Sequence, residues 1–215
     1  MQKMLYFRVQ NLYLLIFRSY IAKKFRKRNN LKIYYGCGAN FQKGYINVDI
    51  RWTPTVDLLA NLKWCSRFFE GRCQEVYLSH VLEHYNYPGK NLSLKRGTIL
   101  DALNDVNKML VNRGTIRLAV PDFHTLSELY ISGGQPLFPR LTGRICGEQN
   151  YPQNLHRCVF DRDFLALCLE KSGFTDLIEW DPEELGFERD SSFDCIGDVK
   201  TSLNLAAKKS SAFDI

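Results

Sequence analysis

Acidic residues are missing from the first thirty positions, which hold eight Lys/Arg (Lys3, Arg8, Arg18, Lys23, Lys24, Arg26, Lys27, Arg28) and no Asp or Glu. The whole chain of 215 residues is only +6, so residues 31–215 are net −2 and the positive charge belongs to an arm. A weakly acidic body excludes general affinity for phosphate backbones, and the arm alone would give salt-sensitive, non-specific attraction. No specific nucleic-acid partner is expected. Long apolar runs are lacking too: Met4 to Phe7 and Leu12 to Phe17 are broken by Arg8, Gln10, Asn11 and Arg18, short of the roughly 18 apolar residues of a spanning helix. The cysteines (Cys37, Cys65, Cys73, Cys146, Cys158, Cys168, Cys195) are odd in number and contain no C-x-x-C. No small-residue cleavage site follows the apolar stretch, so free thiols and a cytoplasmic setting are expected.

What is present reads as one soluble domain. With 45% hydrophobic and 24% charged residues, 14 Gly and 7 Pro, the collagen, disordered and mini-protein classes are excluded. Leu5, Val9, Leu12, Tyr13, Ile16 and Tyr20 share one face of an N-terminal amphipathic helix, and a cationic cluster follows. Two uses stay open for residues 1–30: peripheral membrane contact through anionic headgroups, or packing across the domain's own sheet.

From Leu31 onward β and α patterns alternate. Strands are expected at Leu31 to Tyr35, Tyr45 to Asp49, Val56 to Leu59, Glu75 to Leu78, Thr115 to Val120, Thr175 to Trp180 and Ser202 to Ala206. Helices are expected at Thr98 to Val111, Phe123 to Ile131 and Asp161 to Ser172. Alternation with nearly continuous apolar strands implies a mostly parallel sheet covered on both faces. Gly114 and Gly173 suit left-handed caps after two of the helices. Ser132 to Leu155, rich in Gly and Pro, is too long for an ordinary connection and suggests a lid.

The first strand runs into Gly36-Cys37-Gly38 and the second ends on Asp49. In an open α/β sheet both positions face the crevice beyond the carboxyl ends of the strands. Glycines admit a ligand close to the backbone, and a carboxylate there can accept both hydroxyl hydrogens of a ribose. The third glycine of G-x-G-x-x-G is absent, Phe41 standing in its place, and Gly36 to Gly44 is too short for a phosphate-binding helix. A nucleoside cofactor without phosphates fits better than a dinucleotide.

Several motifs in order carry a resemblance. They are Tyr35-Gly36-Cys37-Gly38 with Gly44 to Asp49, Val56 to Leu62, Ser79-His80-Val81-Leu82-Glu83-His84, and Val120-Pro121-Asp122. Asn154-Leu155-His156 with Phe160-Asp161, Ser172-Gly173-Phe174 and Ser202 to Leu205 follow. Over residues 31–208 the chain resembles class I S-adenosylmethionine-dependent methyltransferases, and more narrowly a group of small predicted methyltransferases linked to surface-polysaccharide synthesis. The resemblance implies a Rossmann-like fold for residues 31–215: a seven-stranded, mostly parallel sheet with helices on both faces and an antiparallel last strand. It implies S-adenosylmethionine as cofactor, with Gly36, Cys37 and Gly38 flanking its methionine part, Asp49 on the ribose, Asn61 near adenine and Ser79 near the sulfonium. Tyr34 departs from it, standing where the wider superfamily has an acid, and Ala206 stands where the group often has Glu.

Methyl transfer to a hydroxyl needs alignment, desolvation and a nearby base. His156, His84 and His80 are the candidates, and the implied acceptor is oxygen on a sugar or glycan intermediate. The alternative is a non-catalytic chain that keeps the fold as a binding or scaffold protein. His80-Val81-Leu82-Glu83-His84 also spells H-x-x-E-H, a zinc-protease pattern. It directly follows a strand and the downstream sequence offers no convincing third ligand on a long helix, so no metal is expected. The acidic stretch Asp181 to Asp190 reads as a solvated loop.

Overall fold

The computed structural model describes residues 23–93 and 95–211. The expected N-terminal helix lies outside the described residues, which begin within the basic cluster that follows it. There Phe25 is buried in the core, and the Arg72 guanidinium donates to the Phe25 and Arg26 carbonyls.

Seven strands make the main sheet: β1 (Leu31–Tyr35), β2 (Ile46–Asp49), β3 (Leu58–Leu59), β4 (Cys73–Ser79), β5 (Leu110–Pro121), β6 (Phe174–Glu179) and β9 (Ser202–Lys209). A separate hairpin pairs β7 (Cys195–Ile196) with β8 (Val199–Lys200). The order in the main sheet is β3-β2-β1-β4-β5-β9-β6. The first five strands are parallel, and β9 runs antiparallel to both β5 and β6. This is the expected Rossmann-like arrangement, with its switch point where the order reverses beside β1 and β4.

Each helix of the sheet-covering layer begins on a side chain that accepts a backbone N–H. Asn61 caps α1 (Leu62–Phe68), Thr98 caps α2 (Ile99–Met109), Asp122 caps α3 (Phe123–Ile131) and Asp161 caps α5 (Arg162–Lys171). Alternation along the strands divides the core. Ile33, Tyr35, Val76, Leu78, Ile116 and Leu118 face the layer of α1, α2 and α5. Tyr34, Tyr77 and Ala206 face the other side, under Trp180, Tyr45, Val56 and Phe187. That second face carries an aromatic layer among the described residues.

Some expectations shift. Gly173 takes the left-handed conformation (φ +77), but after α2 it is Arg113 (φ 61) and not Gly114 that does so. Gly114 lies within β5, packed so closely that an added Cβ would lie 2.9 Å from Val111 O. The sequence pattern gave no α1. The Ser132 to Leu155 insertion contains a distorted turn at Leu137–Leu141 and the short α4 (Thr142–Cys146).

Candidate active site

Five segments meet beyond the carboxyl ends of β1, β2 and β4: the turn after β1, the turn after β2, residues 79–84, the insertion, and the loop 189–195. They bound two adjoining cavities of about 760 and 630 Å3 that share Gly36, Arg51, His80, His84 and Tyr151. Each is the size of an ordinary small-molecule site, about 300–1,000 Å3.

The turn after β1 presents backbone. Gly36 (φ +75) donates its N–H to Val48 O at 2.7 Å, and a Cβ there would sit 2.3 Å from Val81 Cγ2, so only glycine fits. Cys37 is fully buried, and burial, then the charges of Asp49 and Asp57, push its thiol up to about 12. Thiolate chemistry is thereby excluded at Cys37 near neutral pH. No helix fills the short stretch between β1 and β2, as the sequence implied.

Asp49 is 5% exposed. Its Oδ2 accepts Gly38 N–H at 2.8 Å and its Oδ1 accepts Arg51 N–H at 2.7 Å. Each carboxylate oxygen therefore keeps one lone pair, a matched pair of acceptors for two neighbouring hydroxyls. At the end of β4 the Ser79 hydroxyl is buried with no hydrogen-bond partner, the kind of orphan that a ligand satisfies. Asn61 is placed differently: it is exposed, and its side-chain oxygen accepts Trp64 N–H at 2.8 Å as the cap of α1.

The three candidate histidines converge. His80 takes a left-handed backbone (φ 51) and its Nε2 lies 3.2 Å from Ser202 Oγ. His84 and His156 stand edge to face, with ring centroids 5.0 Å apart. His84 Nδ1 is 3.2 Å from Leu155 O, and His156 Nδ1 is 3.0 Å from Arg144 O. Burial pushes His80 and His156 down to about 4 and lowers His84 as well, so all three are neutral near pH 7. Between them lies Glu83, 1% exposed, with neither carboxylate oxygen hydrogen-bonded. Burial pushes it up to about 8.

Two acidic residues went unread in the sequence. Glu83 was visible only as the fourth letter of H-x-x-E-H. Asp190 belongs to the stretch expected to be solvated, yet it accepts from Tyr34 Oη (2.8 Å), Tyr77 Oη (2.8 Å), Ser192 N–H (2.8 Å) and Ser192 Oγ (2.7 Å). It lines the larger cavity and brings a carboxylate to the end of β1, beside Tyr34.

The insertion forms the outer wall. Arg144 of α4 grips Asp194 with two bonds, Nε to Oδ2 at 2.6 Å and Nη2 to Oδ1 at 2.7 Å. The Tyr151 ring lies 4.1 Å from the Arg51 guanidinium. Gly147 (φ +77) lets the chain fold back on itself, since a Cβ there would meet Asn154 O at 2.5 Å and His156 Cδ2 at 3.0 Å.

No protein-family model matches the chain, and no curated protein does. Among solved structures it is similar to a SAM dependent methyltransferase from Archaeoglobus fulgidus, at 15% identity and TM-score 0.49 over 89% of this chain and 94% of that one. It is also similar to the CurJ carbon methyltransferase, at 14% identity and TM-score 0.48, covering 89% of this chain and only 52% of that one, about half its length. A third is the Burkholderia thailandensis 1,6-didemethyltoxoflavin-N1-methyltransferase, solved with S-adenosylhomocysteine bound, at 12% identity and TM-score 0.47 over 90% of this chain and 76% of that one. The fold itself stands on the strand order described above.

Proposed function

We propose that the chain transfers a methyl group from S-adenosylmethionine to an acceptor hydroxyl, with oxygen of a sugar or glycan intermediate as the acceptor class. The observation that carries the reading is the Asp49 carboxylate, buried at the end of β2 with one free lone pair on each oxygen, beside the glycine turn of β1. When bound, the cofactor supplies a methyl group activated on a sulfonium. Gly36, Cys37 and Gly38 would admit its methionine part against bare backbone, and Asp49 would take the ribose diol. The orphaned Ser79 hydroxyl would meet it at the end of β4.

The acceptor side is polar, bounded by Arg51, Arg144, Tyr151 and the three histidines, which suits a polyhydroxylated molecule better than an apolar one. Neutral imidazoles at His80, His84 and His156 offer nitrogen lone pairs to a hydroxyl proton, and the insertion walls one side of the crevice. Asn61 caps α1 through its Oδ1, which leaves its Nδ2 to bond the adenine edge.

Calorimetric titration with S-adenosylhomocysteine tests the cofactor before the acceptor is known. Saturable one-to-one binding is expected, weakened about a hundredfold or more in Asp49→Ala. Absence of binding would leave the non-catalytic scaffold as the better reading.

A further inference from the structure

The expected absence of metal rested on the want of a third ligand for H-x-x-E-H. The chain supplies one from elsewhere. His80 ends its strand in a left-handed turn and residues 82–84 form a single tight 3-10 turn, so His80 and His84 do not stack as i, i+4 partners on a helix. Instead Glu83 O accepts from Arg157 N–H (2.7 Å) and Cys158 N–H (3.2 Å), and this pairing brings His156 alongside Glu83 and His84. One ligand atom from each of the three lies within 4.8 Å of those of the others.

We propose that Glu83, His84 and His156 form a site for a divalent transition-metal ion of the zinc class. Three independent features point to a ligand. First, the Glu83 carboxyl group is buried with no hydrogen bond to either oxygen, its Oε1 lying 3.6 Å from His80 Nδ1 and 3.9 Å from His156 Nε2, an arrangement in which the ionised form is unfavourable unless a positive charge meets it. Second, both imidazoles rest Nδ1 on a backbone carbonyl, Leu155 for His84 and Arg144 for His156. That orients each ring and leaves Nε2 with its lone pair, the support that metal-bound histidines use. Third, the spacing is within reach of side-chain adjustment: the three ligand atoms lie within 4.8 Å of one another, with His156 Nε2 3.9 Å from Glu83 Oε1, whereas zinc bonds of about 2.0–2.2 Å at tetrahedral angles set ligand atoms roughly 3.4 Å apart.

Two imidazoles and one carboxylate favour zinc, iron or manganese over magnesium and calcium, which take all-oxygen shells. Three protein ligands leave a coordination position open, and the trio lines the larger cavity, so that position faces the crevice. With the ion in place the lone pairs of His84 and His156 are committed to it, and His80, paired with Ser202 Oγ, is the imidazole left on the acceptor side. The site does not rest on the methyl-transfer reading. A chain that takes up zinc but no S-adenosylhomocysteine keeps this inference and loses that one.

The full chain, stripped with a chelator and dialysed, is titrated with Zn2+ against a chromophoric chelator, with Mg2+ in parallel and bound metal counted by elemental analysis. One equivalent of Zn2+ and no Mg2+ is expected, with affinity reduced about a hundredfold or more in His84→Ala and in His156→Ala, and clearly reduced in Glu83→Gln. Co2+ in place of Zn2+ reads the ligands directly in the unmutated chain, and weak visible bands without intense thiolate absorption are expected. That spectrum decides the question wherever a variant fails to fold. Three results would each overturn the site: no stoichiometric uptake, uptake that survives the His84→Ala/His156→Ala double variant, or a thiolate band placing the ion on cysteines.

Discussion

Asp190 accepts from four donors on one carboxylate, and two of the donors are phenols buried within the sheet. Tyr34 and Tyr77 are register partners on β1 and β4, their rings stacked with centroids 4.7 Å apart. Burial first, then the Asp190 charge, pushes both phenols far above their ordinary value, so they remain donors at any working pH. Asp190→Ala strands both hydroxyls. An unsatisfied buried donor costs about 1–3 kcal/mol, so a loss of roughly 2–5 kcal/mol is expected in urea unfolding. An unchanged midpoint would contradict the anchoring role. Tyr34→Phe removes donor and demand together and should cost less, about 1 kcal/mol. From the sequence, Tyr34 looked like a missing acid. The acid arrives from 156 positions away, through a loop contact that no local period encodes.

Among elements, the insertion carries the clearest latch. Burial alone would raise the Asp194 carboxyl, but bonds from Arg144 and from the Thr201 hydroxyl outweigh it and hold the group below its ordinary value of 3.8. A depressed carboxylate adds stability that is fully present above its unfolded pKa and is lost as pH falls through the folded one. Arg144→Ala is therefore expected to cost on the order of 1–2 kcal/mol near neutral pH, with the gap to the parent closing below about pH 4. Urea unfolding at several pH values checks this, and a gap that stays constant on acidification would contradict it. Faster amide exchange confined to residues 137–155 is the matching local readout. The helix Phe123–Ile131 was legible because its periodicity runs for nine residues, and β1 because its apolar run stops at a turn glycine; the bounds of both match the expectation. The two-turn α1 was not, since seven residues give too little period to read. Its start signal, Asn61, was present but was assigned to adenine by resemblance.

At the scale of the whole molecule, the strand order determines where chemistry can occur. Parallel β1, β2 and β4 place the glycine turn, Asp49 and Ser79 along one rim, and that much was legible because strand ends and turn glycines are local signals. The histidine and glutamate cluster was only half legible. Its first members sit together in the chain, while His156 joins through backbone bonds to Glu83 that follow from the path of the insertion. If the rim binds S-adenosylhomocysteine, binding to the folded chain alone must stabilise the whole domain by RT ln(1 + [L]/Kd). At a hundredfold excess over Kd this is about 2.7 kcal/mol, which for a domain of this size raises Tm by roughly 5–10 °C. Differential scanning fluorimetry with and without the ligand measures the shift. Asp49→Ala should abolish it while keeping a cooperative transition, and a shift of equal size in that variant would move the ligand away from Asp49. Zn2+ should stabilise by the same linkage and remain effective in Asp49→Ala, because Asp49 is not among its ligands. The two additions therefore report on the two halves of the site separately, and a variant that removed both responses would instead mean that the rim holding them together had come apart.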